Sequence, residues 1–242
     1  MPEDALRESL ARLQAAEFLF QRGLFPDIEY TFTHALTHDV AYASLLHEGR
    51  RALHARIVET IERLYAGRLD DQIERLAHHA FTGEQWARAV HYCREAGLRA
   101  LARLSCPEAV ERLERALEAL GHLPATEESR RLAVDLRFNL GAALVPLGAH
   151  ARALGVLREA EALAGTLGDE RRLARALSYQ SNMHWEMGDA EAASEAGRRA
   201  LAIAERAEDL ALQVVGNFSL AGATRSLGDY PRAAELLRRN VA

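Results

Sequence analysis

Gly148, Gly188 and Gly228, set 40 residues apart, constrain this chain more than any other feature. Each closes an apolar helical stretch (VPLG, WEMG, RSLG), and each is followed by a second helical stretch. Glycine accepts the left-handed backbone that ends a helix. The aspartates behind two of them, Asp189 and Asp229, are placed to accept from the free N–H groups of the next helix. Small residues recur in register at Ala153, Ala193 and Ala233, and again at Ala160 and Ala200. Alanine at fixed positions lets two helix backbones come close. A second punctuation, Gly168-Asp169 and Glu208-Asp209, separates one unit from the next at the same period. Each unit therefore reads as a helical hairpin. One hairpin cannot bury its apolar stripe alone, so units stack and share a core.

These residues resemble the tetratricopeptide repeat, which has Gly at the hairpin turn, Ala five residues later and Ala seven beyond that. Gly148/Ala153/Ala160 and Gly188/Ala193/Ala200 match, and Gly228/Ala233 matches as far as the chain runs. Leu140-Gly141 looks like the family's Leu-Gly pair, whereas Gln180-Ser181 and Leu220-Ala221 keep only the small residue. The proline that usually ends a unit is missing. The period of 40 exceeds the common one of about 34. Helices longer by about a turn are implied, similar to the extended repeats of large bacterial signalling ATPases and transcriptional regulators.

Residues 67–123 read as degenerate helical repeats, and 124–242 as tetratricopeptide-like repeats of 40-residue period. DQIERLAHHAFTG has apolar residues at helical spacing, with Asp71 and Glu74 suited to a capping box. Ser105-Cys106-Pro107-Glu108 reads as a helix start. Residues 1–66 differ in kind. An amphipathic helix is followed by IEYTF, whose alternating β-branched and aromatic residues predict a strand. Its expected partner lies between Phe18-Leu19-Phe20 and Leu24-Phe25, and a long helical stretch from Ala35 to Gly67 follows. Helix, short hairpin and helix suggest a partial winged-helix-like segment. The expected fold is thus all-α, a right-handed tetratricopeptide-like solenoid with a small N-terminal winged-helix-like element containing a short β-hairpin.

The order EFLFQRGLFPDIEYTFTHALTHDVAYASLLHEGRRALHARIVETIERLY, then LAHHA, then a repeat array carries a second resemblance. It is similar to the C-terminal region of bacterial signalling ATPases of the adenylate/guanylate cyclase and AAA/STAND ATPase type. In that family a cyclase or DNA-binding domain, a P-loop ATPase, a winged-helix segment and tetratricopeptide repeats follow one another. Neither the GxxxxGK[ST] phosphate loop nor a cyclase segment occurs in this sequence. The resemblance therefore implies a sensor arm without the family's enzymatic activities.

Charge and composition narrow the function further. With 35 acidic and 30 Lys or Arg residues the net charge is −5, which disfavours bulk binding to nucleic acid or anionic membrane. No run of about 18 apolar residues occurs, and the polar start MPEDALRESL does not read as a signal peptide. Cys93 and Cys106 lack CxxC spacing and read as buried structural thiols in a reducing, cytoplasmic setting. His34 and His38 share a helix face but lack the glutamate of a zinc-binding HExxH. His78 and His79 are adjacent, so their Cβ directions on a helix diverge by about 100°. One is expected to face the core and the other solvent, and no metal or cofactor site is expected. No GxSxG elbow appears, and no enzymatic activity is expected.

The expected function is a non-catalytic interaction or sensor module that binds a protein segment or signal ligand in the concave groove. That groove is lined by the first helix of each hairpin, with Arg137, Asn139, Tyr179, Asn182, His184, Trp185, Asn217 and Arg225 as candidates. Amides would fix a backbone and rings would cover apolar side chains. The partner is expected to be a protein or peptide, its own ATPase or cyclase domains included, with a small signal ligand as a further candidate. An intramolecular regulatory arm of a cyclase or ATPase is the alternative. A DNA-binding regulator fragment is a third reading, weakened because ALTHDVAYASLLHEG brings Asp39 and Glu48 but no Lys or Arg before Arg50. RRNVA stops without a polar capping helix, so the last hairpin is expected to fray or to pair with another molecule.

Overall fold

A computed structural model describes residues 3–22 and 29–241. They form twelve helices and two short strands: α1 (Glu3–Ala15), β1 (Leu19–Arg22), β2 (Glu29–Phe32), α2 (Ala35–Ser44), α3 (His47–Leu64), α4 (Ile73–Thr82), α5 (Trp86–Ala102), α6 (Cys106–Gly121), α7 (Glu127–Leu144), α8 (His150–Leu167), α9 (Glu170–Glu186), α10 (Ala190–Arg206), α11 (Leu210–Ser226) and α12 (Tyr230–Arg238). Consecutive helices from α3 to α12 pack on one another, and α9 also packs on α11. That is a stack of hairpins, and the all-α solenoid expected from the repeats is the fold observed.

The turns are built as the spacing predicts. Gly148, Gly188 and Gly228 have φ of 70°, 81° and 84°. Behind Gly188, the Gly188 N–H donates to the Trp185 carbonyl and the Asp189 N–H to the His184 carbonyl. This pair of bonds satisfies two carbonyls that the helix end would otherwise leave open. Asp169, Asp189, Asp209 and Asp229 each accept from the backbone N–H three residues on, starting α9, α10, α11 and α12. Ala153, Ala160, Ala193, Ala200 and Ala233 are all buried. At Gly197 in α10 an added Cβ would meet Leu220 Cα at 3.2 Å, so α10 and α11 touch nearly backbone to backbone.

The same turn extends into the degenerate segment without glycine. Leu104 has φ 59°, its N–H donates to the Leu101 carbonyl, and the Ser105 N–H donates to the Ala100 carbonyl. Ala109 and Ala116 follow it at the repeat's own spacing and are fully buried. Glu84 and Glu208 adopt the same left-handed conformation. One core runs from Val58 on α3 to Met183 on α9, and smaller clusters fill α9–α11 and α10–α12.

The expected hairpin forms in the N-terminal part, whereas the long helix, the capping box at Asp71 and the cap at Ser105 depart from expectation. IEYTF contributes a strand from Glu29, and its partner is β1, antiparallel, with Leu19 opposite Phe32 and Arg22 opposite Glu29. Leu24 and Phe25, the other end of the expected partner segment, lie outside the described residues. The long helical stretch breaks at Leu45–Leu46 into α2 and α3. The Arg50 guanidinium donates to the Leu45 carbonyl, satisfying a backbone group that the break exposes. Asp71 lies in a 3-10 turn, Leu69–Gln72, and gives no side-chain cap to α4. Its expected box partner, Glu74, faces Arg112 and Arg103 instead. Ser105 stands at the cap of α6, where its carbonyl accepts from the Ala109 N–H but its side chain makes no capping bond.

Candidate functional site

Two cavities flank Asn182 on α9. One, of about 290 Å³, lies between α7 and α9 and is lined by Phe138, Gly141, Val145, Leu157, Tyr179 and Met183 together with Asn182. The other, of about 170 Å³, lies between α9, α11 and α12 and is lined by Asn182, Trp185, Phe218, Gly222, Arg225 and Leu237 among others. Both walls are mainly apolar; α7, α9 and α11, the first helices of three successive hairpins, supply most of them, with Leu157 of α8 and Leu237 of α12 also contributing. Gly222 helps to shape the second, because an added Cβ there would sit 3.7 Å from the Trp185 ring.

Each cavity has an aromatic ring covered by an arginine. The Arg175 guanidinium lies 4.8 Å from the Phe138 ring centre and 5.3 Å from that of Tyr179, and its Nε donates to the Tyr179 hydroxyl at 3.0 Å. Phe138 and Tyr179 meet edge to face at 5.5 Å. Arg225 lies 5.7 Å from the Trp185 ring centre, and Trp185 Nε1–H donates to Ser226 Oγ at 2.9 Å. These contacts fix the rings against rotation. Among the described residues neither Arg175 nor Arg225 has a carboxylate within 4 Å, whereas most arginines of the array do.

The eight candidates thus divide. Tyr179, Asn182, Trp185 and Arg225 come together around the two cavities. Arg137 lines a separate cavity of about 270 Å³ between α6, α7 and α8, where its Nε donates to Glu159 at 2.9 Å. His184 sits 3.7 Å from Asp189 beside the hairpin turn. Asn139 is half-buried on α7. Asn217 is buried, and its amide donates to Asn240 Oδ1 at 2.9 Å, tying α11 to the segment after α12. Sequence reasoning missed Phe138, Arg175 and Phe218. The spacing of Arg175 and Tyr179, four apart on α9, was the available signal.

A second polar cluster joins α2, α3 and α4. His54 Nδ1 lies 2.8 Å from His79 Nδ1, and His54 Nε2 lies 3.0 Å from the Tyr42 hydroxyl. The His78 ring centre is 5.8 Å from that of His54 and 5.1 Å from that of His79. His79 is half-buried and His78 exposed, as expected, yet both rings turn toward His54. Gly83 permits this, because an added Cβ would meet Ala55 N at 2.9 Å and His54 Cβ at 3.1 Å. Burial lowers the pKa of all three imidazoles. For His79, burial and the neighbouring His54, His78 and Arg75 bring it to about 4. His54 is lowered further by His78, and His78 by Arg115 and Arg112. All three rings are neutral at pH 7.

Cys93 and Cys106 are buried, and burial is the main cause pushing the Cys93 thiol up to about 11. It stays a thiol at neutral pH and is no nucleophile there. Among the described residues no helix is long and apolar enough to cross a membrane.

No family model matches the chain, and no curated protein matches it. Solved structures do. Aspartyl phosphate phosphatase F from Bacillus subtilis is similar with a TM-score of 0.61 at 14% identity, over 97% of this chain and 58% of that one. A kinesin light chain from Podospora anserina with nearly identical TPR-like repeats gives 0.57 at 17%, over 81% and 95%. A Rap protein complexed with competence and sporulation factor gives 0.55 at 16%, over 86% and 57%. The chain spans just over half the length of the first and third. The fold is that of the tetratricopeptide-like helical-repeat solenoids.

Proposed function

We propose that this chain is a non-catalytic interaction module that holds an extended protein segment across α7, α9 and α11. What carries the reading is the pair of apolar cavities on either side of Asn182, each with an arginine-backed ring. An extended strand rises about 3.3 Å per residue, so apolar side chains on one face of a bound segment would seat in successive cavities. Asn182, between them, offers one donor and one acceptor site to the segment's backbone. Arg175 and Arg225, which have no carboxylate within 4 Å among the described residues and lie over the rings, favour a segment that carries acidic residues beside its apolar anchors. A Rap protein of the same fold is complexed with competence and sporulation factor, which supports a binding role for such an array.

Within this reading the partner is an ATPase or cyclase domain of a signalling protein, as the resemblance of residues 1–66 and the repeats implies. The exposed Leu36, Val40 and Leu46 on and beside α2 offer an apolar contact to such a neighbour. A regulatory arm acting within one polypeptide would use the same groove.

The test is selection from a peptide display library against the intact chain, followed by affinity measurement on variants. Selected peptides should combine aliphatic or aromatic anchors with acidic residues. Asn182→Ala and Trp185→Ala should each weaken binding about tenfold or more, the loss of a buried anchor. Peptides that bind both variants as tightly as wild type would remove the groove from the account.

A further inference from the structure

We propose that His54, His78 and His79 form a binding site for a divalent late transition metal of the Zn2+ class, clamping α3 to α4 at the entrance to the repeat array. The inference is independent of the groove. One ring nitrogen from each histidine lies within 4.8 Å of the other two. Zinc bound by imidazole at about 2.0–2.1 Å in tetrahedral geometry spaces its nitrogens by roughly 3.3–3.4 Å. The three nitrogens therefore reach a common centre with shifts of about an ångström or less, within the range of side-chain rotation.

The outer contacts suit this role. A ligating histidine needs its second nitrogen held by a partner, which fixes ring orientation and tautomer. Tyr42 does this for His54: with a metal on Nδ1, the Nε2–H donates to the Tyr42 oxygen, 3.0 Å away. The facing Nδ1 atoms of His54 and His79, 2.8 Å apart, need either a proton or a cation between their lone pairs. A metal bound to both satisfies them, at the cost of a small separation of the rings. Three neutral imidazoles match the preference of Zn2+, Ni2+ and Cu2+ for nitrogen donors, and exclude Mg2+ and Ca2+ on ligand type.

The local charge has been weighed. Arg75, Arg112 and Arg115 bear on the cluster. Glu74 lies 3.3 Å from Arg112, and Glu111 lies 2.9 Å from Arg115 and 3.8 Å from Arg112. Arg75 donates to the Gln72 side chain. Two of the three cations are thus offset by carboxylates. His78 is exposed, so the fourth coordination position is open to water.

The consequence is mechanical. α3 already packs on α4 through the core that begins at Val58, and a metal held by His54 on one and by His78 and His79 on the other would tighten that contact and, through the His54–Tyr42 bond, hold α2 to it.

The experiment uses the full chain, stripped with chelator and titrated with Zn2+ against a chromophoric competitor, with Co2+ as a spectroscopic probe. One equivalent should bind, and Co2+ should show the visible bands of low-coordinate nitrogen ligation. His78→Ala, at an exposed position, should lose tenfold or more in affinity while keeping the far-ultraviolet circular dichroism of wild type. His79→Ala should do the same, and Tyr42→Phe should lose a smaller factor through the orientation of His54. His184→Ala, remote from the cluster, should bind as wild type. Absence of one-equivalent binding, or equal affinity of wild type, His78→Ala and His79→Ala, would overturn the proposal. So would a His184→Ala loss as large as that of His78→Ala.

Discussion

Substituting alanine for two helical glycines, Gly155 and Gly197, separates helix propensity from packing. Both lie inside helices, α8 and α10. In a helix interior, Gly→Ala stabilises by about 0.5–1 kcal/mol. At Gly155 an added Cβ meets nothing within 4 Å, so the full gain should appear. At Gly197 the Cβ would meet Ser181 Oγ at 3.1 Å and Leu220 Cα and Cβ at 3.2 Å. Ser181 is fully buried and its hydroxyl donates to the Ala193 carbonyl at 2.7 Å, so it cannot swing aside without losing that bond. Leu220 Cα is backbone of the next helix and can move only with α11. Overpacking of this kind costs about 1–3 kcal/mol. Set against the propensity gain, Gly197→Ala should be destabilising by up to about 2 kcal/mol, a fall of several degrees in Tm for a chain of this length. Urea unfolding followed by circular dichroism reads both variants. If Gly197→Ala stabilises as much as Gly155→Ala, then α9, α10 and α11 do not meet as described.

Leu104 is 83% exposed at a left-handed turn position, so Leu104→Gly loses little burial. Relief of the left-handed strain outweighs glycine's extra unfolded-state entropy, and a gain of about 0.5–1 kcal/mol is expected in the same unfolding assay. Acid should loosen the contact between the α7–α8 and α9–α10 hairpins. Desolvation pushes the Asp169 carboxyl up, but bonds from the Arg172 backbone N–H and guanidinium, with Arg131 nearby, outweigh it and hold its pKa below the usual range. Arg172 in turn reaches Asp135 on α7 at 2.7 Å. The folded state therefore binds the proton less readily than the unfolded chain. The contribution is full above the ordinary carboxylate pKa of about 3.9 and is lost as pH falls through the lower folded value. Asp169→Ala should cost about 1–2 kcal/mol at pH 7 by loss of a cap and a bridge, and less at pH 2. An equal cost at both pH values would contradict the assignment.

What the sequence made legible, and what it hid, follows from how each feature is encoded. Gly148, Gly188 and Gly228 announce their turns because left-handed backbone costs glycine nothing. Leu104 and Glu84 make the same turn, but the cost of about 1 kcal/mol is carried by the closing hydrogen bonds, and no residue type advertises it. The alanines at 109 and 116 were the readable trace. The break at Leu45–Leu46 has no Gly or Pro to mark it. It lets α2 fold back so that Tyr42 reaches His54, twelve residues on; a continuous helix would hold them about 18 Å apart. The histidine cluster was hidden for a related reason. Divergent Cβ directions at His78 and His79 were correctly inferred, but the third ring comes from a helix 25 residues earlier, brought in by close approach at Gly83. Of the groove, the rings and amide on α9 were legible from helix phase. Arg225 was legible as a groove residue, but its position over the Trp185 ring was not, since the two meet only once the hairpins stack; Arg175 was missed although it stands four residues before Tyr179.

Amide hydrogen exchange on the chain with and without a selected acidic–apolar peptide bears most directly on the central claim. Added protection should fall on α7, α9 and α11 around Phe138, Asn182 and Phe218, leaving α8 and α10 unchanged. Protection confined to α8 and α10, or spread evenly over the array, would contradict a groove formed by the first helix of each hairpin.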